Sequence, residues 1–470
     1  LYSFGKNNKG QLGVSDIVDK SVPTFVTETD ASGVISVSCG HEHTLAITSD
    51  NKVFSFGENE NGQLGTNSFN DSITPTYAQD ISGNSITNII SASSGYNFSM
   101  VLSRTGKVFT TGDNTYGQLG IGTMGGGLKQ NFFNQINNSS DLSNGYNGSN
   151  AVAISTGYYH SLILLDSGKV LALGRNNYGQ LGNSLTNDSS EVTQCSFTEL
   201  YNPELKLEKY SADSIFAGGN SSAILLKTGK LLVFGDNQYH QIAISNVSTS
   251  VPTDFFTNMS TSLGTLDLSG YNGVNCINYS ISEKSSSMLL DSGKVYNFGI
   301  NDLGQLGIDS LSESLSDFSG QLFDSSGYDQ TNCILTSVGP NNSLFLLKNG
   351  KVITAGTNDN GATGIGLTTG VTNYPRMIWD NEGPFDGYII NSNFWETFNH
   401  YYDIVKIKLP VNVNYPNGKY KIIKFEPTNS ISTSDFTDLS QTIYPHEMTT
   451  FENINFFKSR DIFLNKPANE

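Results

Sequence analysis

The chain has 470 residues, of which only 15% are charged, and its formal net charge is −17. An acidic chain without a Lys/Arg-rich run repels a phosphate backbone, so we expect no direct contact with nucleic acid. No stretch of 18 apolar residues is present, so we expect no membrane-spanning helix. The abundance of Gly, Asn, Ser and Thr, with 11% aromatic residues, is typical of a turn-rich all-β protein.

A nine-residue glycine-rich segment, here called the tag, recurs seven times at intervals of 52 to 64 residues. This period is too long for a helical solenoid and is close to that of a four-stranded propeller blade. We therefore predict an all-β, seven-bladed β-propeller of four-stranded blades. The tags are GKNNKGQLG, GENENGQLG, GDNTYGQLG, GRNNYGQLG, GDNQYHQIA, GINDLGQLG and GTNDNGATG, beginning at Gly5, Gly57, Gly112, Gly174, Gly235, Gly299 and Gly356.

The residues before each tag read as strands. In HSLILLDSGKVLALG, two apolar runs flank a Gly-Lys turn, which is the pattern of a β-hairpin. A segment of small residues such as IISASSG precedes each hairpin and suits an inner strand that crowds toward a propeller axis. We assign residues 1–376 to the propeller and 377–470 to a C-terminal β-rich tail.

A single tag resembles a phosphate-binding loop. Such a loop needs a Lys followed by Ser or Thr at the start of a helix, and a dinucleotide fingerprint needs a strand-helix-strand unit. Neither context is present, so we predict that the tags are structural turns, that their Asn side chains bond to the backbone and their Gln residues link neighbouring blades, and that no cofactor binds. The predicted turn residues are Gly5, Asn7, Gly57, Asn59, Gly112, Asn114, Gly174, Asn176, Gly235, Asn237, Gly299, Asn301, Gly356 and Asn358.

Histidine and cysteine residues give no catalytic or metal-binding pattern. His43 and His160 occupy the same place in two blades, so we interpret them as structural, and we place His41 in a solvated loop. Cys276 and Cys333 align with an alanine in a third blade and are interpreted as small core residues, the alternative being a redox or ligand pair. No Ser/His/Asp or Cys/His set converges, so we predict that the protein is not an enzyme.

The surface composition favours an extracellular or particle-surface location, the alternative being cytoplasmic or nuclear. Asn-x-Ser/Thr sequons permit N-glycosylation, although a chain this rich in these residues contains a similar number by chance. The candidate glycosylation sites are Asn70, Asn147, Asn187, Asn246 and Asn258.

Aromatic residues are concentrated in the tail. They are candidate anchors for a partner or a neighbouring subunit, and the alternative is that they pack the tail against the propeller. The candidate partner contacts are Trp379, Trp395, Phe398, Tyr401 and Tyr402.

The tags, together with the strands GHEHTL at Gly40 and GYYHSL at Gly157, resemble the regulator of chromosome condensation repeat family over residues 1 to 375. The resemblance implies a seven-bladed β-propeller in which one blade is split between the two ends of the chain. Since the chain opens on Leu1 inside a third strand, we expect either that the tail closes the ring or that the missing strands precede Leu1.

Two functions are compatible with the resemblance. The first is a non-catalytic interaction or assembly scaffold that contacts another protein or copies of itself through its loops and tail. The alternative is guanine-nucleotide exchange on a small GTPase, the activity for which the family is named. It ranks second because the acidic chain lacks the family's basic segments, and no exchange-active loop has a recognisable counterpart here.

Overall fold

The computed structural model describes residues 1–26, 33–136, 146–195, 212–244, 248–254, 270–309, 319–324, 327–380, 383–384, 420–425, 436–443 and 462–467. The chain divides into two compact units, Leu1–Tyr401 and Tyr402–Glu470. Almost all regular structure in the described residues is antiparallel β-sheet, with one short 3-10 turn at Asp359–Gly361. No helix in the described part of the chain is long and apolar enough to cross a membrane.

Within residues 1–377, the described strands of the first unit form one two-stranded sheet and six four-stranded sheets. The two-stranded sheet, here called the half-blade, contains β1 (Tyr2–Gly5) and β2 (Lys20–Phe25). Blade A contains β3 (Val34–Cys39), β4 (His43–Thr48), β5 (Val53–Gly57) and β6 (Ser72–Tyr77). Blade B contains β7 (Ile89–Ser94), β8 (Phe98–Ser103), β9 (Val108–Asp113) and β10 (Lys129–Gln135). Blade C contains β11 (Ala151–Thr156), β12 (His160–Leu165), β13 (Val170–Gly174) and β14 (Ser189–Gln194).

The remaining three blades repeat this up-and-down order. Blade D contains β15 (Ala212–Gly218), β16 (Ser221–Leu226), β17 (Leu231–Asp236) and β18 (Ser248–Asp254). Blade E contains β19 (Cys276–Ile281), β20 (Ser285–Leu290), β21 (Val295–Gly299) and β22 (Ser319–Gln321). Blade F contains β23 (Cys333–Val338), β24 (Asn342–Leu347), β25 (Val352–Thr357) and β26 (Val371–Met377).

The hydrophobic core lies between neighbouring blades. The second strand of a blade is enclosed on both faces, and every residue of β12 and β16 is buried. At the boundary between blades B and C, for example, Met100 and Leu102 share one apolar cluster with Ile154 and Ile163. Burial on both faces explains why these strands read as continuous apolar runs rather than as alternating patterns.

Hydrogen bonds from strand to tag also join the blades. A Ser or Thr hydroxyl in a second strand donates to the backbone carbonyl of the tag Gln in the preceding blade, as Ser222 Oγ does to Gln180 at 2.8 Å. The Gln side chain bonds within its own blade, and Gln180 Oε1, for example, accepts the Tyr178 N–H at 2.9 Å. The predicted link between blades is therefore made by the backbone of the Gln. The equivalent hydroxyl donors are Thr44, Ser99, Ser286 and Ser343, bonded to Gln11, Gln63, Gln241 and Gln305.

The predicted all-β propeller is confirmed, with a difference at the seventh position of the ring. Within the described residues that position contains the half-blade alone, which corresponds to the third and fourth strands of a blade. It packs on blade A, where Thr44 Oγ1 donates to the Gln11 carbonyl at 2.9 Å, and on blade F, where Phe4 joins the cluster that contains Ile378. The tags thus count seven positions correctly, whereas six of these positions have four described strands.

The tail contributes short sheets of its own. β27 (Trp379–Asp380) pairs with β28 (Gly383–Pro384). In the second unit, β29 (Tyr420–Phe425) lies between β30 (Phe436–Ile443) and β31 (Ile462–Pro467). The boundary between the compact units falls at Tyr401/Tyr402, downstream of the 376/377 boundary assigned from sequence. Closure of the ring by the tail stays a prediction.

Truncation after Tyr401 tests that prediction. If the tail completes the half-blade, a chain of residues 1–401 is expected to unfold roughly 5 °C or more below the full chain, because edge pairing and apolar burial are lost. The measurement is the Tm of the propeller transition by calorimetry. An unchanged Tm would show that residues 402–470 do not complete the ring.

Candidate interaction face

The tags give the loops of one face the same conformation in every blade. Each tag lies between the third and fourth strands, and its first glycine has a φ between 99° and 117°, a backbone conformation that favours glycine. The tag Asn is buried in every copy, and its Oδ1 accepts the backbone N–H five residues on, as from Leu64 to Asn59 at 2.9 Å. Asn59 Nδ2 also donates to the carbonyls of Ser68 and Asn70. The same Oδ1 bond occurs at Asn7, Asn114, Asn176, Asn237, Asn301 and Asn358.

The loops between first and second strands lie on the same face as the tags, because alternate connections of an antiparallel blade emerge at the same end. We call this end of the ring the tag face. Each of these loops has two variable residues after a glycine, or after Ser282 in blade E, such as Tyr158 and Tyr159 after Gly157. In blades A to C these positions contain histidine and tyrosine, which the fold brings close to the axis.

Four rings and one guanidinium form a continuous row across blades A, B and C, here called the aromatic path. The His41 ring stacks on Tyr96 with a centroid distance of 4.0 Å. Tyr96 lies 5.4 Å from Tyr159, and Tyr159 lies 5.2 Å from Tyr116. The row ends at Arg175, whose Cζ is 4.8 Å from the Tyr116 centroid. All five side chains are at least partly accessible, so the path lies on the surface rather than in the core.

An axial cavity of about 690 Å³ opens beside this path. The first strands of all six blades and β1 of the half-blade line it, mostly with serine, glycine and alanine residues. Tyr96, Tyr158 and Glu283 lie at its mouth, and Tyr158 Oη donates to Glu283 Oε2 at 3.0 Å. Burial, followed by the negative charge of Glu283, raises the pKa of Tyr158, so this phenol stays protonated and remains a donor.

One group of side chains near the path has the composition of a metal site. The ligand atoms of His41, Glu42 and Glu58 lie within 4.8 Å of one another. Lys6 Nζ is 2.5 Å from Glu42 Oε1, and Lys9 Nζ is 3.5 Å from Glu58 Oε1, so lysine ammonium groups already compensate both carboxylates. The Lys6 bond lowers the pKa of Glu42 against the effect of burial, whereas burial raises that of Glu58. We assign no metal to this group.

His43 and His160 lie in the wall between blades. His43 Nε2 is 2.9 Å from Ser99 Oγ, and that hydroxyl donates to the Gln63 carbonyl, so the imidazole is the donor to the serine. His160 makes the same bond to Ser222 at 2.8 Å. Burial lowers the pKa of both histidines to about 3. Both rings are neutral at pH 7 and join adjacent blades.

The other predicted residues lie in exposed loops, in strands, or outside the described residues. Asn70, Asn147 and Asn187 are exposed, while Asn246 and Asn258 lie outside the described residues, so use of the sequons stays a prediction. Cys276 and Cys333 are buried at the first positions of β19 and β23, where blade C has Ala151. Of the predicted partner contacts, Trp379 belongs to β27, and Trp395, Phe398, Tyr401 and Tyr402 lie outside the described residues.

Sequence reasoning missed the aromatic path. His41 is exposed, as expected for a solvated loop, but its ring stacks on Tyr96. The available signal was an aromatic side chain directly after the loop glycine in three successive blades, at His41, Tyr96 and Tyr158, the last of which precedes Tyr159 of the path. Such residues cannot contribute to the fold through the repeat itself, since the remaining blades have other residues there.

The fold is a β-propeller, and the aromatic path lies on one end of its ring. The chain belongs to the family described as the RCC1-like domain, whose model matches residues 1–383. This match confirms the resemblance to the regulator of chromosome condensation repeat family.

Individual relatives support the same assignment. The chain is 31% identical over 182 residues to the ultraviolet-B receptor UVR8 of Arabidopsis thaliana, covering 39% of this chain and 38% of that protein. It is 31% identical over 257 residues to the protein RCC2 homolog of Xenopus laevis, covering 50% and 47%. The crystal structure of Prp20p from Saccharomyces cerevisiae superposes with a TM-score of 0.63 at 22% identity, covering 81% of this chain and 86% of that one. The matches span less than half of these two curated relatives, and the likeness to Prp20p shows the fold alone.

Proposed function

We propose that the protein is a non-catalytic scaffold that binds another protein through the tag face. The carrying observation is the aromatic path beside the mouth of the axial cavity, because tyrosine and arginine are residues that anchor protein interfaces. The tags support this role, since their buried hydrogen bonds hold the loops rigidly before a partner arrives, and rigid loops lower the entropic cost of association.

Site-specific photo-crosslinking tests the proposal. Replacing Tyr159 on the path with a photoreactive phenylalanine analogue is expected to give a discrete adduct with a partner. The matched control places the same analogue at Thr105, an exposed residue in the β8–β9 turn at the opposite end of the ring. Equal adducts from both positions, or none from position 159, would contradict the proposal. An adduct of twice the chain mass would identify the partner as a second copy.

Guanine-nucleotide exchange on a small GTPase is the second candidate. It is supported by the likeness to Prp20p, whose structure is described together with its binding to Gsp1p and histones. Release of labelled GDP from a small GTPase at substoichiometric protein concentration would favour exchange over a purely non-catalytic scaffold.

A further inference from the structure

A carboxylate without a basic partner lies at the mouth of the axial cavity. Glu283 connects β19 to β20 and is partly accessible, and Tyr158 Oη donates to its Oε2. Within the described ranges, no Lys or Arg forms an ion pair with this carboxylate, although Lys6 and Lys9 neutralise the two glutamates on the blade A side. The charge of Glu283 is therefore available to a ligand.

Two tyrosine rings stand beside this carboxylate. Tyr96 and Tyr158 meet edge to face, with centroids 5.2 Å apart and an interplanar angle of 78°. A ring face attracts a cation within about 6 Å of its centroid, and the attraction strengthens as water is excluded. Burial raises the pKa of Tyr96, and the nearby carboxylates, including Glu283, raise it further. Three carboxylates thus act on this ring, and Lys6 partly offsets them.

The tag face already contains one guanidinium that lies over aromatic rings. Arg175 lies over Tyr116 and Tyr159, at 4.8 and 5.8 Å from their centroids. A guanidinium is planar, stacks on aromatic rings and pairs with a carboxylate through two parallel hydrogen bonds, which an ammonium group does not. Glycines flank the mouth at Gly95, Gly157 and Gly219, so no side chain from these positions narrows it.

We propose that the axial mouth is a receptor for one arginine side chain of a partner protein, with the guanidinium against Tyr96 and Tyr158 and paired with Glu283. This inference rests on the proposed function and specifies the chemistry of the partner. The net charge of −17 complements a basic partner and steers its approach.

The test uses the full chain and two capped peptides, acetyl-Gly-Arg-Gly-amide and its citrulline counterpart, which has nearly the same shape without the charge. We expect chemical-shift titration at low salt to show saturable binding of the arginine peptide alone. Glu283→Gln keeps an acceptor for Tyr158 and is expected to weaken that binding about tenfold, the effect of losing roughly 1.4 kcal/mol. Asp166→Asn removes the same charge from an exposed turn at the opposite end and is expected to leave binding unchanged.

Each other outcome overturns the proposal. Equal binding of the two peptides, no saturation by the arginine peptide, or equal weakening by Glu283→Gln and Asp166→Asn would each show that the mouth does not recognise arginine. Crosslinking at position 159 separates this failure from failure of the scaffold itself. If the adduct persists in Glu283→Gln, the scaffold proposal stands and the arginine receptor is rejected. If the arginine peptide binds but no protein adduct forms, the arginine site stands and the scaffold proposal is rejected.

Discussion

Lowering the pH from 7 to 5 is expected to reduce the free energy of unfolding by roughly 4 kcal/mol through His43 and His160 together. Both have a folded-state pKa of about 3, held down by burial, whereas an unfolded histidine titrates near 6.5. Between these values the unfolded state binds more protons, so stability falls as the pH falls, by about 1.4 kcal/mol per pH unit for each histidine. Urea unfolding at the two pH values measures the loss.

The repeat supplies a control for this prediction. Phe98 begins β8 at the place where His43 begins β4, and it is likewise fully buried above a glycine. The double variant His43→Phe, His160→Phe is therefore expected to fold and to lose most of the dependence on pH. A double variant whose stability falls between pH 7 and 5 as steeply as that of the parent would show that these histidines are not the cause.

Gly57→Ala is expected to destabilise the protein by about 3 kcal/mol or more. Gly57 has a φ of 109°, and an added Cβ would clash with the Glu42 carbonyl and lie 2.8 Å from His43 Cα. Neither neighbour yields easily, because both belong to the backbone that leads into β4. The change in free energy of unfolding, from urea titration, measures the effect.

Gly83→Ala is the matched control. Gly83 also has a positive φ, at 80°, but nothing lies within 4 Å of the position of its Cβ. Its substitution is expected to cost only the backbone strain, about 1 to 2 kcal/mol. Similar losses in the two variants would mean that the close approach of tag and second strand does not matter.

The periodic part of the molecule was predictable from sequence. The tags and the apolar runs around Gly-Lys turns recur because every blade is built from the same hairpins and turns. Strand order and blade count therefore follow from the repeat. The composition of the seventh position did not follow, since a tag marks only the third and fourth strands of a blade. The tag at Gly5 looks like the others, although the described half-blade around it has two strands.

The candidate site was less predictable because it depends on contacts between distant segments. His41, Tyr96 and Tyr159 each lie in a different blade, and only the packing of the blades sets the distances between their rings. The bond from Tyr158 to Glu283 spans 125 positions in sequence and joins blades C and E across the axis. Unlike the tags, an aromatic residue occurs at this loop position in only three of the blades, so the repeat does not mark it as part of the fold.

The tag face of this propeller is proposed to bind a protein. The most direct measurement is the yield of protein adduct from the photoreactive residue at position 159 relative to the yield from position 105. We expect a discrete adduct at position 159 that is lost when Tyr96 is replaced by alanine, and no adduct at position 105. Adducts at both positions, with yields that the Tyr96→Ala change does not alter, would show that the tag face is not the binding surface.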